Sequence, residues 1–351
     1  MPQESMTPRE RWMAVLSRRQ PDRVPMDIWL TPEARDALCA HLGCDFDTAL
    51  ERLHIDTPLT AAGRYVGPVP PEGQDIWGLV RRRVDYGTGV YDEVVNAPLA
   101  RFTSVDQIEA HYAWPRPDWW DYAHLPALLR GNEHRPVRGG GSEPFLLYKQ
   151  LRGEAQAFLD LLMCPDIVHY CLDKLFELAY QDTLRIFETI PGTVMITYVA
   201  EDLGGQTGLL MARELMQEFL FPPMKRMMDL TRQHGSFVFT HSDGAVRDII
   251  PDFIALGTQV LNPIQWVCPG MDRAGLKRDF GADLVFHGGV DNQRVLPFGA
   301  VDDVREEVHE NYRTLGAGGG YILCPCHNIQ AVTPPENIVA LYETGYAEGW
   351  L

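Results

Sequence analysis

The 351-residue chain is short of positive charge: 31 Lys and Arg stand against 48 Asp and Glu, a formal net charge of −17. Nucleic-acid binding needs a basic footprint to displace phosphate counterions, so the balance argues against that class. Arg81-Arg82-Arg83 is the one dense basic run, and it reads as a solvated strand face. No window approaches the ~18 apolar residues of a membrane span. The opening, MPQESMTPRERWMAVL, is polar and mixed in charge, so no secretory signal is expected. Seven cysteines fall without the spacing of a disulfide framework, which suits a reducing compartment. The expectation is a cytoplasmic protein. A G-x-G-x-x-G turn is also missing, and neither Gly139-Gly140-Gly141 nor Gly318-Gly319-Gly320 leads into the Gly-Lys-Ser/Thr of a phosphate loop.

What is present is ordinary for a large buried core, with 45% hydrophobic and 23% charged residues. Thr7-Pro8-Arg9-Glu10 reads as an N-cap with proline in the first turn, opening a helix to about Leu16. RVPMDIWL (23–30) reads as a buried strand. Residues 75–100 alternate apolar and polar around Gly87 and Gly89, a hairpin signature. From residue 193 a regular beat sets in. Strands at 193–205, 236–244, 258–265, 282–291 and 319–328 alternate with helices at 211–234, from 245, from 272, near 301–315 and near 335–346. Such alternation means a parallel sheet. The fold expected is α/β, a single (β/α)₈ TIM barrel across the whole chain. Residues 1–20 form a helix outside it, and a hairpin and loop insertion at 75–122 lies over the cleft.

In such barrels reacting groups sit at the C-terminal strand ends. Here every late strand ends in polar residues: Glu201-Asp202, His241-Ser242-Asp243, Asn262 with Gln265, His287 with Asp291 and Asn292, and Cys324-Cys326-His327-Asn328. Burying such groups unpaired is costly, so their convergence on one rim signals an active site. His241, Asp243, Cys326 and His327 carry the imidazole, carboxylate and thiolate that suit zinc. A metal-free polar rim with both cysteines as packing fits the spacing equally well. Cys39, Cys44, Cys164, Cys171 and Cys268 read as packing. In the last unit, Pro325 is expected to end strand pairing near Cys324, and Thr333 to cap the final helix in a box with Glu336.

The segments ELMQEFLFPPMKRMMDL, HSDG, LNPIQ, FHGGVDNQ and CHNIQAVTPPENIVALYETG together resemble the uroporphyrinogen decarboxylase superfamily. That superfamily includes the haem-pathway decarboxylase and zinc-dependent, corrinoid-linked methyltransferases, and the resemblance implies one (β/α)₈ barrel with its cleft at the strand C-termini. The decarboxylase's Met-Arg-Gln-Ala-Gly-Arg-Tyr signature is missing where DIWLTPEARDAL stands. The chain is therefore nearer the methyltransferase branch, whose His-x-Cys falls on His241 and Asp243 and whose final Cys falls on His327, beside Cys326. Homodimers are common in the family, and one is expected here.

Three functions follow as expectations. The first is a zinc-assisted methyltransferase acting on a small, methoxylated substrate with a corrinoid protein as methyl carrier. Its catalytic residues would be His241, Asp243, His327 and Glu201. Asn262, Gln265, Asp291, Asn292, Asn328, Asp56 and Trp77 would bind substrate. The second is a metal-independent decarboxylase or lyase on an unknown acid, with Asp56 and Asp243 stabilising a developing cation. The third is a non-enzymatic small-molecule binder, disfavoured by so many titratable groups on one rim. The aromatic residues of the insertion (Trp77, Tyr86, Tyr91, Trp114, Trp119, Trp120) suit a flat or partly apolar ligand.

Overall fold

Local signals set the frame. The computed structural model describes residues 3–85, 87 and 89–351. Thr7 accepts from the Glu10 amide while Glu10 accepts from the Thr7 amide, and with Pro8 in the first turn this capping box opens helix α1, Pro8–Leu16. Seven strands form one parallel sheet: β1 Leu59–Ala61, β2 Val137–Ser142, β3 Ile196–Ala200, β4 Phe237–His241, β5 Val260–Asn262, β6 Val285–Val290 and β7 Tyr321–Pro325. Their order in the sheet is their order in the chain. β6 and β7 are buried along their whole length, as a parallel sheet covered on both faces requires. The helical run expected at 211–234 spans Arg213–Leu215, Met216–Leu220 with π geometry, and Phe221–Gln233.

The segment 23–30 is extended, but it pairs through isolated bridges and not through a ladder. Met26 bridges Leu323 and Leu30 bridges Ile329 on one side. On the other, the Asp56 amide donates to the Met26 carbonyl at 2.7 Å, just ahead of β1. The segment thus stands between the two edge strands, and the sheet curls round to meet it.

Helix α1 does not pack outside this sheet. Trp12, Val15 and Leu16 join Ile196, Phe239, Val260, Val285 and Ile322 in an inner apolar cluster near the N-terminal ends of the strands. Burial of such side chains is worth about 1.5–3 kcal/mol each, which an outward-facing helix would forgo. The expected hairpin is present, with Arg81–Asp85 antiparallel to Val90–Val94, and Arg81, Arg82 and Arg83 are exposed on it. Tyr86 lies outside the described residues.

Two expectations for the last unit fail. Pairing continues to Pro325 opposite Val290, and the Cys326 amide still donates to the Val290 carbonyl at 2.9 Å. In a parallel strand successive N–H groups alternate sides, and Leu323 donates to Pro25. The missing N–H of Pro325 therefore faces segment 23–30, where no ladder exists to break. The final helix, Pro335–Glu348, is capped at Pro334 without a side-chain bond, so Thr333 makes no capping box. No described helix is long and apolar enough to cross a membrane.

Asp56 belongs to the N-terminal end of the sheet, three residues ahead of β1. Its carboxylate receives Arg11 at 2.6 Å and Arg23 at 2.8 Å, with all three side chains buried. It therefore stays away from the C-terminal rim. Removing one partner of a buried ion cluster leaves charge uncompensated, at a cost of about 3–5 kcal/mol. Asp56→Ala is expected to lose that much in denaturant melts. A loss under ~1 kcal/mol, the range of a surface pair, would contradict this structural role.

Candidate functional site

The site begins with a buried acid in an apolar run. Asp27 is 2% exposed, and its Oδ2 accepts from Trp29 Nε1 and His287 Nε2, both at 3.0 Å, while Oδ1 accepts from the Ile28 amide at 2.8 Å. Burial alone would raise this carboxyl, but the hydrogen bond and charge of His287, followed by Thr57 and Arg138, hold it below its ordinary range. From His287 the chain continues through Asn262. Asn262 Nδ2 lies 2.7 Å from His287 Nδ1, and Asn262 Oδ1 lies 2.6 Å from His241 Nδ1.

The amide reads this chain in one direction. Asn262 Nδ2 can only donate, so His287 accepts at Nδ1 and carries its proton on Nε2, toward Asp27. Asn262 Oδ1 can only accept, so His241 carries its proton on Nδ1. His241 Nε2 then faces the cleft. There it lies 3.6 Å from Asp202 Oδ1 and 4.0 Å from Asp243 Oδ2. His327 approaches from the last strand, with Nε2 3.9 Å from the same Asp243 Oδ2, and its side chain is 47% exposed. Trp29 stacks on His241 at 5.8 Å between ring centroids, and Tyr198 lies beside both, 5.4 Å from His241 and 6.4 Å from Trp29.

The loops are pinned by short contacts. The Asp243 amide donates to Asp202 Oδ1 at 3.1 Å, and Ser242 Oγ accepts from the Leu203 amide at 3.0 Å. A Cβ on Gly204 would sit 2.4 Å from the Asp243 carbonyl, so only glycine lets these two loops approach so closely. Crowded carboxyls then shift one another. Burial raises Asp243 and Asp202 adds to it, against His241 and His327. Burial raises Glu143 to about 7, helped by Asp202 and opposed by His241 and Lys149. Burial also lifts Glu201 well above the carboxylate range. Its Oε1 accepts from the Phe145 amide at 3.0 Å, while its Oε2 is buried without a partner.

The rim therefore gathers His241, Asp243, His327 and Asn262. The other expected residues are placed differently. Glu201 turns behind the rim. Gln265 Oε1 accepts from the Gly244 amide at 2.9 Å, Asp291 Oδ1 from the Gln293 amide at 2.8 Å, and Asn292 only reaches the Asn328 carbonyl at 3.5 Å. Asn328 lines a cleft of about 720 Å³ with Trp29 and Tyr198, and Trp77 and Trp120 line an adjoining apolar pocket of about 280 Å³ with Glu143. Cys326 donates its thiol to the Ile264 carbonyl at 3.1 Å, and burial pushes that thiol far up. Asp27, Trp29, Glu143, Tyr198, Asp202 and His287 complete the site without having been assigned a role from sequence. An acid inside RVPMDIWL was the available signal, because a charge in a buried strand needs partners.

Comparison with known proteins agrees with this frame. The family model described as uroporphyrinogen decarboxylase (URO-D) matches residues 127–347. The chain belongs to the URO-D family. It is 26% identical over 211 residues to the uroporphyrinogen decarboxylase of Anaeromyxobacter dehalogenans (strain 2CP-C), covering 60% of this chain and 54% of that protein. The match thus spans about half the length of this curated URO-D relative. Among solved structures, a methyltransferase from Methanosarcina mazei superposes with a TM-score of 0.69 at 17% identity, covering 98% of this URO-D chain and 99% of that one. The likeness is one of fold.

Glu143 generates a pH dependence. Its folded pKa lies above the ordinary 4.5, at about 7, so the folded chain holds this proton more tightly than the unfolded chain. The stability it contributes is complete below about pH 4.5 and is lost as pH rises through about 7. Glu143→Gln cannot lose it. In chelator-treated protein, the melting temperature of Glu143→Gln relative to the parent should climb between pH 4.5 and 7 and level off above. A difference independent of pH would show that Glu143 is not held protonated.

Proposed function

We propose that the chain is an enzyme, a metal-assisted methyltransferase that demethylates a small methoxylated substrate and passes the methyl group to a corrinoid carried by a partner protein. The observation that supports this most is His241 Nε2 lying 3.6 Å from Asp202 Oδ1 and 4.0 Å from Asp243 Oδ2, with His327 Nε2 3.9 Å from the same Asp243 oxygen. Such a set is stabilised by a cation at its centre. Asp202, His241 and Asp243 offer ligand atoms that all lie within 4.8 Å of one another. We assign zinc to these three, adding Asp202 to the expected set and leaving out Cys326, with His327 beside the group through Asp243. A zinc ion held by nitrogen and oxygen supplies Lewis acidity toward a hard ether oxygen, since no sulfur donor softens it.

The chain's own residues divide the remaining work. Asn262 fixes the His241 tautomer, and Trp29 and Tyr198 hold its ring. Glu143, protonated up to about pH 7, is assigned the return of a proton to the departing oxygen once the carbon–oxygen bond has broken. Segment 23–30 acts as the eighth stave of a closed barrel, and residues 75–122 shape the pocket through Trp77 and Trp120. The decarboxylase reading is weakened by Asp56, which is held by Arg11 and Arg23 and leaves Asp243 without its supposed partner.

Elemental analysis of purified protein is expected to find stoichiometric zinc, diminished in His241→Ala. Absence of zinc, or unchanged content in that variant, would sink the proposal. His327→Ala should cut methyl transfer at least ~100-fold. Its stability should change by no more than ~0.5 kcal/mol, because the side chain is half exposed. A variant that melts early would mark His327 as structural.

A further inference from the structure

An arginine opens onto the cleft with no carboxylate at ion-pairing distance among the described residues, its charge felt at the buried Asp27. Arg138, on β2, donates to Thr60 Oγ1 at 3.2 Å and forms no ion pair among the described residues. This is notable in a chain whose acids outnumber its bases by 48 to 31. Arg138 lines the 720 Å³ cleft together with Arg35, whose exposed guanidinium meets only its neighbour Asp36 at 3.2 Å. The acids nearby are engaged elsewhere. Asp182 on the cleft wall accepts from the Tyr122 hydroxyl at 2.5 Å, and Asp27 is held by His287 and Trp29. On the cleft wall β2 runs so close to β3 that a Cβ on Gly141 would fall 1.8 Å from the Tyr198 carbonyl at a φ of +127°, so glycine is required there.

The same cleft leads to the rim. Its walls include Trp29 and Tyr198, the two rings that lie beside His241. Arg138 pairs with Ile196 on β3, whereas His241 pairs with Ala200, four residues further along. That separates the two levels by on the order of 13 Å at ~3.3 Å per residue.

The geometry points to an organic anion as substrate, an aromatic carboxylate whose carboxyl group is gripped by Arg138 with Arg35 while Trp29 and Tyr198 hold its ring. This rests on the methyltransferase reading only for the far end of the ligand, where the methoxy group faces His241, Asp202 and Asp243. The carboxylate is the anchor and not the reacting group. A guanidinium recognises a carboxylate through paired, charge-assisted hydrogen bonds that an amide cannot match.

The test is calorimetric titration of the full chain with 4-methoxybenzoate and with 4-methoxybenzamide, which has the same shape and no charge. Each is measured as purified and after chelator treatment, so that carboxylate–metal contact does not mimic the arginine. The benzoate should bind at least about tenfold more tightly in both states, as one charge-assisted contact gives. Arg138→Gln should bring the two ligands to parity, and Arg138→Lys should keep part of the preference. Equal affinities in the parent protein, no binding of either ligand at millimolar concentration, or a preference untouched in Arg138→Gln would each overturn the assignment. The comparison in the parent protein stands even if a variant fails to fold. A carboxylate preference in protein that holds no zinc would uphold the anion site while the metal reading falls.

Discussion

A single carboxamide between two imidazoles determines which nitrogen of His241 faces the cleft. Asn262 is fully buried at the end of β5, and it joins β4 to β6 through contacts of 2.6 and 2.7 Å. Because an amide offers an acceptor on one side and donors on the other, it transmits direction as well as contact. Asp27 sets that direction from 260 residues away in sequence by accepting from His287. With Nδ1 turned to Asn262, His241 presents Nε2 to the cleft, the atom that can share a cation with two carboxylates. The arrangement suits buried polar groups, since each of Asp27, His287, Asn262 and His241 has a partner and none bears the cost of an orphan.

The two ends of the sheet solve opposite problems. At the N-terminal end, charge is matched: Arg11 and Arg23 meet Asp56, and Trp12 seals the interior above them. At the C-terminal end charge is left uneven. Glu143, Asp202 and Asp243 crowd one rim with Glu201 behind them, none is ion-paired to Lys or Arg among the described residues, and Glu143, Glu201 and Asp243 have raised pKa values. Such crowding is tolerated where protons or bound cations relieve it, and perturbation of this kind is a mark of functional sites. The stable end holds the strands in register so that the strained end can be precise.

The late strands were legible because their pattern and their turn chemistry agree. Each apolar run from 193 onward ends in polar residues, and the observed β3 to β7 end where those residues begin. The first half resisted for physical reasons. RVPMDIWL pairs through isolated bridges, so its apolar pattern identified burial but hid that Asp27 and Trp29 point into the site. Asp56 read as an active-site acid because sequence does not show that Arg11 and Arg23 converge on it. Cys326 read as a ligand from its neighbour His327. Its thiol instead finds the Ile264 carbonyl, a contact 62 residues distant that no local spacing encodes. Pro325 read as a strand terminator, a rule that holds only where the missing N–H faces a ladder.

The replacement of sulfur by oxygen and nitrogen around His241 ties the site's electrostatics to its proposed chemistry. A thiolate neutralises a bound cation by donating charge to it, whereas Asp202 and Asp243 neutralise it mainly by proximity. Their negative charge would also repel an anionic substrate if it approached the rim uniformly. Placing Arg138 and Arg35 on the wall of the same cleft separates the two requirements: the anionic end of a ligand is drawn to the guanidiniums, and a neutral ether end is left to face the carboxylates. Orientation then comes from charge alone. A ligand entering the other way would set carboxylate against carboxylate at the rim, a like-charge contact that the low-dielectric cleft makes expensive.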